Sequence, residues 1–196
     1  MMIIWKKSAK EISLHHDNLE GNAVAILVLI SGSNNSGKSI YAEQLIAKTT
    51  GDRYYIATML PCTEDNHRRI EKHRAQRQGL GFDTLECPYQ IGNVPVSSDG
   101  VVLLEDVSNL LANAMFEKGG SSDSVFRDIC ALADRCRILV VVTIAGLKDD
   151  GYGKETVAYI NGLNEINQKL FDKASVAISM QEGTPVYQKG DAHVLI

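Results

Sequence analysis

The chain has 196 residues, 44% of them hydrophobic and 22% charged, with a formal net charge of −4. That length supports one substantial core and little more. The acidic balance argues against a protein that works mainly by neutralising a nucleic-acid backbone, while a local anion site stays open.

Residues 1–22 end in "HHDNLEGN" and precede the first core strand. Lysines follow a very short apolar stretch, the reverse of a secretory signal. The segment is read as an N-terminal extension, either an edge strand over Met2–Trp5 or a loosely tied terminus. Residues 23–196 are expected to form a single nucleotide-binding domain. Strands are predicted at Ala23–Ser31, Arg53–Thr58, Thr84–Cys87, Val101–Glu105, Ile138–Thr143, Ser175–Met180 and Pro185–Gln188. Helices are predicted at Lys38–Lys48, Glu64–Gln78, Val107–Glu117, Asp123–Asp134 and Lys154–Asp172. Strands alternating with helices predict an α/β fold, a mainly parallel sheet covered on both faces. "VVLL" and "RILVVVT" are apolar without alternation, as strands buried on both faces should be. "QEGTPV" reads as a hairpin turn that makes the C-terminal edge antiparallel. No apolar run reaches membrane-spanning length. Cys62, Cys87, Cys130 and Cys136 lack C-x-x-C spacing and are expected as free thiols in a reducing cytoplasm.

"GSNNSGKS" follows the first strand and opens a helix. It fits G-x-x-x-x-G-K-[ST], the P-loop pattern. Gly32, Ser33, Asn34, Asn35, Ser36 and Gly37 would curl the backbone so that its N–H groups face phosphate oxygens. Lys38 would reach the outer phosphates of ATP or GTP, and Ser39 would ligate Mg2+. The helix adds the positive end of its dipole. The second magnesium partner should be a carboxylate ending another apolar strand. "GVVLLED" offers Glu105 and Asp106, and Glu105 is preferred because it ends the apolar run directly. The competing reading is an acid placed to favour a helix N-terminus.

"TEDNHRRIEKHRAQRQ" starts with a cap, Thr63, and acids, Glu64 and Asp65. Along that helix His73 has Arg69 one turn before it and Arg77 one turn after it, a face suited to phosphate. A neutral imidazole there can attack phosphorus, and flanking cations disfavour its protonated form. The alternative is a solvated basic face. His67 lies off this face, and His15, His16 and His193 are near the termini.

Taken in order, "LISGSNNSGKSIYAEQL", "YYIAT", "RIEKHRAQR", "FDTLECP" and "VVLLEDVSNLLANAMF" resemble the bifunctional adenosylcobinamide kinase and adenosylcobinamide-phosphate guanylyltransferase family of cobalamin synthesis. The resemblance implies a RecA-like P-loop fold, a corrinoid second substrate and a trimer. It places the histidine that carries GMP at His73, an acid near the guanine at Glu86, and the strand-end acid at Glu105. "NQKL", Asn167 to Leu170, matches the family's last helix. The family's N-E-V-G after the fifth core strand is absent, and "VVVTIAGLKDDGYGKET" stands there. Two alternatives therefore stay open: a P-loop kinase or nucleotidyltransferase with another substrate, and a nucleotide-binding regulator without catalysis.

Overall fold

The computed structural model describes residues 25–191. The proposed extension and the strand position Met2–Trp5 lie outside the described residues. Seven strands form one sheet: β1 (Ile26–Gly32), β2 (Arg53–Ala57), β3 (Phe82–Glu86), β4 (Val101–Glu105), β5 (Ile138–Ile144), β6 (Val176–Gln181) and β7 (Thr184–Lys189). Their spatial order is β3-β2-β4-β5-β1-β6-β7. All pairs are parallel except β6 with β7. The helices are α1 (Lys38–Ile46), α2 (Glu64–Arg77), α3 (Val107–Lys118), α4 (Ser122–Ala133) and α5 (Lys154–Lys173). Each predicted element is present, with ends shifted by a few residues.

Strand order and handedness decide which helix covers which face. The connections β1–α1–β2 and β2–α2–β3 step one way across the sheet. Those from β4 through α3 and α4 to β5, and from β5 through α5 to β6, step the other way. Right-handed crossovers therefore put α1 and α2 on one face and α3, α4 and α5 on the other. The side chains agree. On β1, Val28 and Ile30 pack with Ala42, Leu45 and Ile46 of α1. Leu27 and Leu29 belong to the opposite cluster, with Leu110, Ile129, Leu132, Leu163 and Leu170. Alternate residues of each central strand feed two cores, so Val101–Leu104 and Ile138–Val142 are buried without a break.

Caps set several helix starts. The Thr63 hydroxyl accepts from the Asn66 amide at 3.1 Å, and Ser121 and Ser124 form a reciprocal capping box. The last two strands are joined through Glu182 and Gly183, both with positive φ. That is the two-residue turn that fits hairpin twist.

β1 leaves to one face through α1 and its neighbour β5 leaves to the other through α5. A crevice opens beyond the carboxyl ends of these strands, where ligands bind in open parallel sheets. Leu104 is fully buried in β4 under the three-helix layer. Leu104→Ala should lower unfolding stability by about 2–5 kcal/mol, read by urea titration at unchanged m-value. A loss below about 1 kcal/mol would contradict the packing described.

Candidate nucleotide site

The chain from Gly32 to Ser39 turns at the carboxyl end of β1. A Cβ on Gly32 would lie 2.6 Å from Ser36 Oγ and 2.8 Å from the Met180 carbonyl, so any side chain would push the loop off the sheet. Gly37 has φ of 88° and is the N-cap of α1, a left-handed conformation that suits glycine. It supplies no side-chain cap, so the first-turn amides of α1 stay available to an anion. Lys38 is buried, and its Nζ donates to the Ser33 carbonyl at 2.6 Å. Burial lowers its pKa, and the carboxylates of Glu105 and Asp106 oppose that shift.

Ser39 Oγ donates to Glu105 Oε1 at 2.7 Å, which joins the start of α1 to the end of β4. Glu105 Oε2 is buried with no hydrogen-bond partner. Burial and neighbouring Asp106 push the Glu105 carboxyl up to about 8, against the pull of Ser39 and Lys38. Asp106 has a different task. Its Oδ1 accepts from the Asn109 amide and from Ser108 Oγ, both at 2.7 Å, capping α3. The helix-capping role weighed for Glu105 belongs to its neighbour. Thr58 fixes this corner: its hydroxyl accepts from the Asp106 amide at 2.8 Å, and its own amide donates to the Glu105 carbonyl at 3.0 Å.

α2 lies over the same edge. His73, Arg69 and Lys72 share a cleft of about 510 Å3 with Asn34, Asn35, Ser36, Lys38, Ser39 and Glu105. Ser36 Oγ and His73 Nδ1 are also buried without partners. Burial lowers the His73 pKa, and Arg77, Arg69 and Lys72 lower it further, while Asp106 opposes them. The imidazole is therefore held toward its neutral form.

Two expected residues lie elsewhere. Arg77 was grouped with Arg69 on a phosphate-facing stripe, yet it is 7% exposed and does not line the cleft with the P-loop. The C-terminal end of α2 meets the sheet there. The Arg77 guanidinium sits 3.5 Å from the centroid of the Tyr55 ring and reaches Thr84 Oγ1 at 3.4 Å. Glu86 ends β3 and pairs with Arg74 on the surface. It borders a smaller cavity of about 40 Å3 between α2 and the sheet, which His73, Tyr55, Arg77 and Glu105 also line. His73 thus stands at the boundary of both spaces. His67 is exposed, as expected from its position off the helix face.

Sequence reasoning passed over Thr58, Tyr55 and Glu43. Thr58 follows "YYIA" at a strand end, a position that could have been noticed. Glu43 looks like an ordinary exposed helix residue in "SIYAEQL" and is in fact 3% exposed.

The segment that replaces N-E-V-G begins beside the loop: the Ala145 amide donates to the Gly32 carbonyl at 3.1 Å. Asn167 in α5 holds the end of β5. It accepts from Thr143 Oγ1 at 2.7 Å and donates to the Ile144 carbonyl at 2.8 Å.

Residues 28–187 match the family model described as cobinamide kinase / cobinamide phosphate guanyltransferase. A curated relative is the bifunctional adenosylcobalamin biosynthesis protein CobU of Escherichia coli (strain K12), 33% identical over 101 residues, 50% of this chain and 55% of that one. The protein of the same name from Salmonella typhimurium (strain LT2) is 29% identical over 122 residues, 59% of this chain and 66% of that one. Both alignments span less than two thirds of the relative. Among solved structures, an ATPase from the type III secretion system of pathogenic bacteria overlaps with a TM-score of 0.48 at 11% identity, over 82% of this chain and 54% of that one. The family match runs from within β1 to within β7, and the chain belongs to the cobinamide kinase / cobinamide phosphate guanyltransferase family.

Proposed function

We propose that this chain is a transferase that holds ATP or GTP at Gly32–Ser39 and acts as both kinase and guanylyltransferase on adenosylcobinamide, with GMP carried on His73. The observation that carries the reading is the shared cleft, in which His73 and Arg69 border the same space as Lys38, Ser39 and Glu105. Family membership supplies the class of reaction.

In the kinase step a hydroxyl of the corrinoid attacks the γ-phosphorus and the nucleoside diphosphate leaves. Lys38 and the loop amides stabilise charge on the phosphate oxygens. In the transfer step a nitrogen of His73 attacks the α-phosphorus of GTP. A P–N bond forms, the bond to the bridging oxygen of the β-phosphate breaks, and pyrophosphate leaves. The phosphate of the phosphorylated corrinoid then displaces the imidazole. Two displacements replace one difficult step. Arg69 and Lys72 neutralise charge building on the oxygens.

The residues fit magnesium. Glu105 presents a buried oxygen without a partner beside the Ser39 hydroxyl. Among the described residues no group of three or more His, Cys, Asp or Glu could hold a metal. A small hard-oxygen set suits Mg2+ shared with phosphate and water rather than an ion caged by protein alone. Ser39 and Glu105 would hold it, and it would neutralise phosphate charge.

A corrinoid partner and a homotrimer belong to this reading, as does a cytoplasmic location, with which the free thiols of Cys62, Cys87, Cys130 and Cys136 agree. No helix of the described residues is long and apolar enough to cross a membrane. One observation favours a second reading, a P-loop transferase with a different acceptor: the segment beside Gly32 lacks N-E-V-G. Turnover of adenosylcobinamide in the ordinary enzyme range of about 1–1,000 per second would eliminate it.

Lys38→Ala should weaken triphosphate binding by at least about tenfold, ~1.4 kcal/mol; equal affinity in calorimetry would remove the P-loop assignment. His73→Ala should abolish acid-labile labelling from α-labelled GTP and leave triphosphate binding intact. A labelled His73→Ala protein, or an unlabelled wild type, would refute the nucleophile. Its depressed pKa predicts its titration. Without nucleotide bound, the His73 imidazole, followed by NMR, should titrate with a midpoint below the ordinary histidine value of 6.5. A midpoint above that value would contradict a neutral imidazole.

A further inference from the structure

Asn66, Ile70, His73 and Arg77 form one stripe of α2, spaced three or four residues apart, and all are at least partly buried. Only Ile70 among them is apolar, so the stripe gives the helix little hydrophobic hold. Two polar contacts stand in for it. Near the start of α2, Asn66 Nδ2 donates to the Leu60 carbonyl at 2.8 Å. At its end Arg77, the one buried residue of the helix, places its guanidinium 3.5 Å from the centroid of the Tyr55 ring.

Tyr55 is itself buried, and the sheet fixes its place. In register it stands between Thr84 of β3 and Leu103 of β4, and its ring meets Phe82 edge-on with centroids 6.1 Å apart. Arg77 also reaches Thr84 Oγ1, at 3.4 Å. The guanidinium therefore rests on a ring from one strand and a hydroxyl from its neighbour. A cation over an aromatic face is held more strongly where water is excluded, as it is at this buried pair. His73, Tyr55, Arg77 and Thr84 line the same cavity of about 40 Å3, and of these four His73 alone also lines the cleft with the phosphate loop. The mechanism above uses neither Tyr55 nor Arg77.

We propose that Tyr55 is a positioning residue for His73: its ring holds the Arg77 guanidinium, and so sets where α2 presents the imidazole to the triphosphate. The link is short. Arg77 is four residues after His73, about 6 Å along the helix axis. Asn66 is tied on the other side, so the nucleophile sits between two fixed points of one helix. Loss of the ring frees the nearer of the two, and the end of α2 can then shift or rotate. Misplacement of a nucleophile by about 1 Å is enough to cost about 100-fold in rate.

This inference rests on the nucleophile reading, and the experiment separates the two. The rate of His73 labelling is measured in single turnover with saturating α-labelled GTP and magnesium. GTP affinity is measured in parallel by calorimetry, and folding by thermal midpoint. Tyr55→Leu removes the aromatic face. It should label about 10- to 100-fold more slowly than wild type, with GTP affinity changed by less than about threefold. Tyr55→Phe keeps the face and should label within about threefold of wild type. Arg77→Met should be as slow as Tyr55→Leu, and Arg77→Lys, which keeps a cation over the ring, should recover part of the rate. The double variant Tyr55→Leu, Arg77→Met should be no slower than the slower single, because both substitutions break one contact. Should Tyr55→Leu not fold, Arg77→Met and Arg77→Lys carry the same test. Wild-type labelling in Tyr55→Leu or Arg77→Met, a Tyr55→Phe protein as slow as Tyr55→Leu, losses that multiply in the double variant, or a slow rate matched by an equal loss of GTP binding would overturn the positioning role alone. An unlabelled wild type would overturn the nucleophile and this role together.

Discussion

Ser39 and Glu105 lie 66 residues apart in the chain and meet in a 2.7 Å hydrogen bond. For that bond to form, β1 and β4 must run parallel on either side of β5, with their carboxyl ends within two residues of each other. The registers supply this: Gly32 pairs with Ile144 and Glu105 with Val142. Thr58 then pins the end of β2 to the same corner through the backbone of Glu105 and Asp106. A cluster of charged and polar groups can stay at this edge because the layer beneath it is made of unbroken apolar strands. The carboxyl of Glu105 accordingly feels the low dielectric of the core on one side and a lysine on the other.

The second constraint is the placement of α2. Most helices of this fold are held by apolar stripes. α2 instead meets the sheet through a cation over an aromatic ring, an interaction that gains strength when water is excluded. This arrangement leaves Arg69 and Lys72 to border the cleft, while Arg74 pairs with Glu86 on the surface. One arginine holds the helix, and Arg69 borders the cleft with the phosphate loop. The two arginines sit two turns apart on the helix and do unlike work because one end of α2 meets the sheet and the rest overhangs the cleft.

The segment after β5 shows where the chain departs from its family's pattern without disturbing the core. β5 keeps its full length, and Asn167 ties the strand end to α5 by two hydrogen bonds. Residues 145–153 then run without helix or strand, starting beside the phosphate loop at Ala145. At the strand end, Ile144 lines the cleft with the phosphate loop, so the departure begins directly after a residue of the site.

Much of this was legible in the sequence. Apolar runs, turn residues and caps determined the strands, the helices and the mainly parallel sheet, because those signals act over a few residues. Gly32 to Ser39 was legible for the same reason, since a tight turn between strand and helix is a local structure. Glu105 could be preferred over Asp106 from its place at the end of "VVLLE", and the tertiary structure gives the two acids different partners. What the sequence did not determine was which way α2 turns. A 3.6-residue period puts Arg69, His73 and Arg77 on one stripe, but it cannot say that the sheet rises to meet the last of them. The burial of Glu43 was invisible for a related reason. Helix periodicity does not say which residues of α1 the sheet covers, and Glu43 is 3% exposed on a helix that packs against Val28, Ile30 and Leu103.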